Sequence, residues 1–144
     1  MSAVKSTVTK ARERLQVVAS QSATTTAMAA AISSPMTTHV LNTSTGKPAS
    51  NLLIKLHRLE GTKATLLKEG RTNSDGRLPG LLTASEFTAG TYMMRFETED
   101  YFKQSGTVGF YPYVEIVFSI TNPSEHYHIP LLLSPYGYST YRGS

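Results

Sequence analysis

Histidines are the residues of this chain best suited to proton transfer near neutral pH, because the ordinary pKa of imidazole is about 6.5. The chain has four: His39, His57, His126 and His128. His126 and His128 are two positions apart, so on a strand both point to one face. We expect acid–base or polar substrate contacts there rather than a metal, since a zinc site normally needs a third protein ligand, which His39 would have to supply. His57 lies within a regular strand pattern and is predicted to be a surface residue.

Two arginines have side chains that could bind a substrate oxygen. Arg77 follows Asp75-Gly76, a strong turn signal, and Arg142 lies in the closing stretch Tyr141-Arg142-Gly143-Ser144. A guanidinium is a planar fork of five donors that suits a carbonyl or carboxylate, yet many turn arginines are simply solvated, and both interpretations stay open. Ser144 has no G-x-S-x-G context, and the chain has no cysteine, so nothing indicates a serine or cysteine nucleophile.

The elements that must position these residues follow a period of two from Met36 onward, which is typical of strands. We predict one short helix over 83–89, with Thr83 as N-cap and Glu86 as its capping-box partner. Pro130 interrupts the last strand, which favours a sheet edge or a bulge there. Many short strands with turn signals between them predict an all-β, antiparallel β-sandwich. The predicted strands cover 38–42, 51–59, 92–99, 114–120 and 126–133.

Residues 1–34 differ from the rest and divide the chain into an extension, 1–34, and a folded domain, 35–144. The extension is rich in Ala, Ser and Thr and holds four of the fourteen basic residues against one of the ten acidic ones. Most of the net charge of +4 is therefore in the extension, which argues against a basic domain face for nucleic acid. No apolar run approaches the roughly 18 residues of a membrane span. An amphipathic, Arg- and Ser-bearing, acid-poor N-terminus is typical of a targeting sequence.

Several motifs together resemble the 5-hydroxyisourate hydrolase family, the transthyretin-related enzymes of urate breakdown, and they span about residues 36–144. The terminal Tyr-Arg-Gly-Ser is the most specific of them. Asn42 stands where many members have Asp. The motifs are Thr38-His39-Val40-Leu41-Asn42, Gly46-Lys47-Pro48-Ala49, Thr72-Asn73-Ser74-Asp75-Gly76-Arg77, Phe110-Tyr111-Pro112-Tyr113-Val114-Glu115, His126-Tyr127-His128-Ile129-Pro130-Leu131-Leu132-Leu133-Ser134-Pro135 and Tyr138-Ser139-Thr140-Tyr141-Arg142-Gly143-Ser144.

The resemblance implies a transthyretin-like sandwich of two four-stranded sheets with one short helix, assembled as a homotetramer (a dimer of dimers) with active sites in clefts between the dimers. It implies hydrolytic ring opening of 5-hydroxyisourate to 2-oxo-4-hydroxy-4-carboxy-5-ureidoimidazoline, without a metal or an organic cofactor. The catalytic residues carried over are His39, Arg77 and His128, and residues 141–144 would help line the cleft. His126 has no equally firm role and is expected to support the site from outside. Which histidine activates water stays open.

The resemblance also bears on location and on the alternative function. Arg14-Leu15, with Gln21 further on, approaches an N-terminal peroxisomal signal, although Ser22 departs from its last position. A peroxisomal enzyme is therefore expected, with the cytoplasm as the alternative. The main rival function is that of transthyretin itself, a thyroid-hormone carrier on the same fold without the histidine pair or the terminal motif. A sandwich with neither activity is the third reading.

Overall fold

The computed structural model describes residues 34–144, so the extension predicted over 1–34, with its signal-like residues 14–22, lies outside the described part except for Ser34. In the described part a single helix, α1 (Thr98–Gln104), lies between the fifth and sixth of eight strands. The strands are β1 (Met36–Asn42), β2 (Lys47–Pro48), β3 (Leu53–Glu60), β4 (Lys63–Arg71), β5 (Gly90–Phe96), β6 (Val114–Ile120), β7 (Tyr127–Ser134) and β8 (Gly137–Thr140).

The strands form two four-stranded sheets, with orders β2-β1-β7-β8 and β4-β3-β5-β6. The predicted all-β fold is confirmed. The expectation of a purely antiparallel sandwich is wrong at one pair, because β1 and β7 run parallel. Alternation shows which residues face the core, but it carries no information about strand direction, and these two strands are far apart in the chain.

In strand β1, alternate residues face the core and the outer surface of the sheet. Met36 and Val40 have no exposed surface and belong to the hydrophobic core, while Thr37, His39 and Leu41 between the core-facing positions are half-buried. Successive side chains of a strand point to opposite faces, so His39 must lie on the outer face of the sheet β2-β1-β7-β8. The core residues of β1 thereby determine which way the histidine points.

The helix is not where the sequence predicted it. Residues 83–87 make one turn, in which the Glu86 and Phe87 N–H groups donate to the Thr83 carbonyl and the Glu86 carboxylate accepts from Thr83. The Glu86 half of the predicted capping box therefore forms, whereas the Thr83 hydroxyl donates to Glu86 instead of accepting from its N–H. Strand β5 begins at Gly90 and leaves no room for further turns. The helix occupies Thr98–Gln104 instead, where the strand prediction had continued to residue 99.

Three features of α1 explain its position. Glu99 and Asp100 lie in its first turn, where negative charge suits the helix dipole. Lys103 pairs with Glu99 one turn earlier, at 2.9 Å. Phe102 is buried in the hydrophobic core. Its burial stabilises the helix through contacts with other segments, which the alternation of polar and apolar residues along the chain does not predict. Within residues 34–144, no helix is long and apolar enough to cross a membrane.

Pro130 lies in β7, an interior strand between β1 and β8, and the register of β7 with β1 is unbroken at this residue. Both predicted alternatives, a sheet edge or a bulge, are therefore wrong. The pairs Leu131–Thr140 and His128–Gly143 keep one register, which places Pro130 opposite Tyr141. Pro130 has no N–H to give at that position, and the ladder between β7 and the C-terminal residues is interrupted there. The Thr140 hydroxyl donates to the Pro130 carbonyl at 2.6 Å across the gap.

Candidate active site

The outer face of the sheet β2-β1-β7-β8 brings His39, His128 and Arg77 together. In the parallel ladder, Thr37 is level with His128, and His39 is two residues further along β1 on the same face. On the other side of β1, Arg77 forms an isolated antiparallel bridge with His39. Three separate parts of the chain thus supply one polar cluster, with both histidines half-buried and Arg77 exposed.

The turn before Arg77 docks on β1 through its backbone. The Asn73 side-chain oxygen accepts hydrogen bonds from the N–H groups of Asp75 and Arg77, and the Gly76 carbonyl accepts one from Val40 at 2.8 Å. Gly76 has φ +74°, and a Cβ there would lie 2.5 Å from the Val40 carbonyl oxygen. Only glycine fits this conformation and this close approach, so the Asp-Gly signal determines where Arg77 is presented.

The surroundings of His128 lower the pKa of its imidazole. Burial, and then the positive charge of Arg77 and the nearby His39 and His126, lower the pKa of His128 from its ordinary value of 6.5. A hydrogen bond to the backbone of Thr37 acts in the opposite direction and raises this pKa. The net effect keeps the imidazole neutral at neutral pH, which is the state a general base requires.

Gly143 holds His128 from the C-terminal side. The two residues exchange backbone hydrogen bonds of 3.1 and 2.8 Å. A Cβ at position 143 would lie 2.9 Å from both Cβ and Cδ2 of His128, closer than side chains tolerate. Of the terminal motif, this glycine is the member that the structure brings against the histidine.

The other members of the terminal motif point elsewhere in this chain. Arg142 donates to the Glu125 carboxylate at 3.0 Å and lies over the Tyr127 ring, 4.5 Å from its centre. Together with Tyr141 it borders a mainly apolar cavity of about 350 Å³ on the β6 side of β7. Ser144 is exposed. The single chain therefore places Gly143 beside His128 but does not bring Arg142 to it.

Thr37 is a site residue that the sequence reasoning missed. Its hydroxyl is hydrogen-bonded to Nδ1 of His128 at 2.8 Å, and it also lies 3.4 Å from Nε2 of His126. The available signal was its position two residues before His39, which puts both on one strand face.

His57, which the sequence predicted to be a surface residue, is half-buried in the other sheet. Its buried Nδ1 has no hydrogen-bond partner among residues 34–144. No group of three His, Cys, Asp or Glu side chains that could hold a metal ion occurs among the residues the structure describes.

Known proteins resemble this chain over nearly the whole described part. The model of the HIUase/Transthyretin family matches residues 36–143. A 5-hydroxyisourate hydrolase of Mus musculus is 54% identical over 114 residues, covering 78% of this chain and 97% of the relative.

Solved structures of known proteins also resemble this chain. The crystal structure of (S)-allantoin synthase has a TM-score of 0.70 at 45% identity, covering 76% of this chain, and this chain spans 43% of that protein's length. Sea bream transthyretin in complex with thyroxine has a TM-score of 0.72 at 30% identity, covering 76% of this chain and 94% of that one. A family model that matches most of the chain, and a relative at this identity over nearly its full length, lead to one conclusion: the chain belongs to the HIUase/Transthyretin family.

Proposed function

We propose that this protein is an enzyme of urate catabolism that hydrolyses 5-hydroxyisourate, with His39, Arg77 and His128 as its catalytic residues. The observation that carries the proposal is the cluster on the outer sheet face, where a histidine with a lowered pKa lies beside an arginine and a second histidine. Relatives named for this activity share about half of their residues with the chain.

The chemistry assigns a role to each residue. Hydrolysis of a cyclic amide needs water to lose a proton as its oxygen attacks the ring carbonyl, and neutral His128 is suited to accept that proton. Negative charge then develops on the carbonyl oxygen, and the Arg77 guanidinium is suited to stabilise it. The ring nitrogen must gain a proton as its C–N bond breaks, and His39, beside Arg77, is placed to position the water or to supply that proton.

The terminal motif contributes unequally in this proposal. Gly143 lets the chain approach His128 closely. We assign Tyr141 and Ser144 to the lining of the proposed cleft in the assembled protein, because in the single chain Tyr141 borders the apolar cavity and Ser144 is exposed. Arg142, paired with Glu125 over the Tyr127 ring, would reach substrate only through a partner chain or a rearrangement. No step of the mechanism is routed through a metal or an organic cofactor.

The test follows decay of freshly generated 5-hydroxyisourate by ultraviolet absorbance, with and without the protein. We expect decay well above the spontaneous rate, and a loss of about 10²–10⁴-fold in kcat for His128→Asn. We expect a clear loss for His39→Asn as well. The matched control is His57→Asn, in the opposite sheet, which should keep wild-type kcat. Decay at the spontaneous rate with wild-type protein would refute the enzyme, and activity near wild type in both site variants would refute the histidine pair.

The alternative is thyroid-hormone binding, as in the transthyretin that shares this fold. The outer sheet face favours hydrolysis, because it carries two imidazoles and a guanidinium where a hormone carrier would present an apolar channel. The same protein preparation separates the two: turnover without thyroxine binding supports the hydrolase, and thyroxine binding without turnover supports the carrier.

We also propose the homotetrameric assembly, a dimer of dimers with substrate clefts between the dimers. Two observations support it. Within the described part of the chain, strands β6 and β8 end their sheets with unpaired edges that border the apolar cavity. Val117 on β6 is 57% exposed and Tyr138 on β8 is 44% exposed. Exposed edges that carry apolar side chains are suited to pairing with a second copy.

For residues 1–34 we propose an extension that directs the protein to the peroxisome, supported by the sequence pattern alone. Residues 1–34 fused to a fluorescent protein should give punctate signal that overlaps a peroxisomal marker. The matched control replaces Arg14 and Leu15 by Ala and should give diffuse signal. Diffuse cytosolic signal from the unmodified fusion would contradict the proposal.

A further inference from the structure

Thr37 and His126 adjoin the proposed base but have no part in the mechanism described above. Thr37 lies level with His128 in the parallel ladder of β1 and β7, so its hydroxyl faces the ring directly. The Oγ1 atom is 2.8 Å from Nδ1 of His128 and 3.4 Å from Nε2 of His126. One hydroxyl is therefore shared between two imidazoles, with the shorter contact to His128.

The shared hydroxyl limits how protons can be arranged. A hydroxyl has one proton to donate and lone pairs to accept, and a neutral imidazole carries hydrogen on only one of its nitrogens. If the hydroxyl donates to Nε2 of His126, its lone pairs accept from Nδ1–H of His128. Nε2 of His128 then keeps a free lone pair. In the reverse arrangement, the hydroxyl donates to Nδ1 of His128, the hydrogen of that ring moves to Nε2, and Nε2 cannot act as a base.

Gly143 restricts the same ring from another side. A Cβ at Gly143 would come within 2.9 Å of Cδ2 of His128, so the terminal backbone already packs against that part of the ring. Rotation of the imidazole that would carry Nδ1 away from Thr37 is opposed by this contact. The ring is thus held at Nδ1 and at Cδ2, and Nε2 is the nitrogen left for substrate.

We propose that Thr37 is a positioning residue: its hydroxyl, directed toward His126, holds neutral His128 in the Nδ1–H tautomer and presents Nε2 as the proton acceptor. This inference rests on the proposed function for its catalytic meaning. His126 acts indirectly, because its Nε2 accepts the hydrogen bond that the Thr37 hydroxyl donates. The tautomer itself is a property of the resting protein and is measurable without substrate.

The direct test is nuclear magnetic resonance of the full chain labelled with ¹⁵N-histidine, at a pH about 1.5 units above the ordinary histidine pKa of about 6.5. We expect the His128 ring of the wild type to show a protonated Nδ1 and an unprotonated Nε2. Thr37→Val, which keeps the shape but removes the hydroxyl, should shift the ring toward the Nε2–H form. Thr37→Ser should keep the wild-type tautomer, and His126→Ala should give an intermediate mixture.

The kinetic test uses the same variants with 5-hydroxyisourate. Loss of one orienting hydrogen bond should lower kcat about tenfold in Thr37→Val with little change in KM, and Thr37→Ser should recover most of it. A wild-type His128 already in the Nε2–H form would overturn the inference, as would a Thr37→Val variant with unchanged tautomer and kcat. If the wild type shows the Nδ1–H tautomer but no turnover, the proposed function fails while the positioning by Thr37 stands.

Discussion

At the scale of single residues, the basic neighbours of His128 decide what the site can do. Burial is the largest cause that lowers the pKa of His128, and Arg77, His39 and His126 add to it with charges of one sign. Protonation of His128 would add a positive charge to an already positive cluster, so the neutral ring is favoured. The same arrangement suits a substrate rich in carbonyl oxygens, because charge that develops on such an oxygen is stabilised by the groups that keep the base neutral.

The first prediction concerns the charge of Arg77. The lowered pKa keeps His128 neutral in the folded protein just below pH 6.5, where the same histidine in the unfolded chain is already being protonated. Because the unfolded state then binds more protons, the free energy of unfolding decreases as the pH falls from 6.5 toward the pKa of folded His128. Arg77→Met should raise the pKa of His128 toward 6.5, and Arg77→Lys, which keeps the charge, should not. Titration of the His128 ring by nuclear magnetic resonance measures this even in inactive variants. A pKa in Arg77→Met as low as in the wild type would contradict the role of the charge.

The second prediction concerns Gly143. A methyl group there would meet the His128 ring at 2.9 Å, so either the ring or the terminal backbone must move. We expect Gly143→Ala to lower kcat roughly ten- to hundredfold, because small displacements of a catalytic group are costly. Gly137→Ala is the matched control, since its nearest neighbour is the Ser134 hydroxyl oxygen at 3.6 Å, an ordinary contact. Equal kcat in the two variants would show that the close approach to His128 is irrelevant to turnover.

At the scale of elements, β1 organises the site because it has partners on both sides. It pairs with β7 along its full length and with β2 and the turn at Gly76 on its other edge. The start of β1 is fixed by Ser34, which has no exposed surface. Its hydroxyl donates to the Leu82 carbonyl at 2.7 Å and accepts from the Leu82 N–H at 3.1 Å. Ser34 therefore ties β1 to the segment before β5.

The third prediction tests this tie. Ser34→Ala would leave the Leu82 N–H and carbonyl buried without their partner, which should reduce the free energy of unfolding by about 1–3 kcal/mol. Ser50→Ala, at an exposed loop position, should change it by less than about 0.5 kcal/mol. Urea unfolding at fixed protein concentration measures both. If Ser34→Ala unfolds at the same midpoint as Ser50→Ala, the hydroxyl is not holding the start of β1.

At the scale of the whole molecule, the two edges of the sheet β4-β3-β5-β6 differ. A row of paired residues crosses the sheet β4-β3-β5-β6 from Leu66 through His57 and Met93 to Val117. Leu66 on β4 and Val117 on β6 are 50% and 57% exposed at its two ends. Val117 also borders the apolar cavity near the C-terminal residues, whereas Leu66 does not. The β6 edge is therefore the better candidate for contact with a second copy.

The fourth prediction uses that pair of residues. Val117→Lys places a charge on the edge proposed to join two copies and should reduce the assembly below a mass near four times 15.7 kDa. Leu66→Lys, with similar exposure on the opposite edge, should leave the assembly intact. Light scattering coupled to size-exclusion chromatography measures both masses. A tetramer that survives Val117→Lys, or one lost equally in Leu66→Lys, would argue against the β6 edge.

The sequence by itself determined the class of fold and which of its residues could do chemistry. Period-two alternation marks strands because strand side chains alternate between core and solvent, and Asp75-Gly76 marks a turn because glycine accepts a left-handed conformation. The site residues His39, Arg77 and His128 came from motif resemblance, and their catalytic roles stay a prediction. The strand β4 escaped detection because its residues are nearly all exposed and show no alternation.

Only the tertiary structure decided how those residues meet. The parallel pairing of β1 with β7, the interior position of Pro130 and the helix at Thr98–Gln104 each depend on contacts between segments far apart in the chain. The same holds for Thr37 beside His128, and for Arg142 turned toward Tyr127 and away from the histidines. Local sequence specifies which face a side chain takes. Which strand lies next to that face depends on how the whole core packs, and this determines the site.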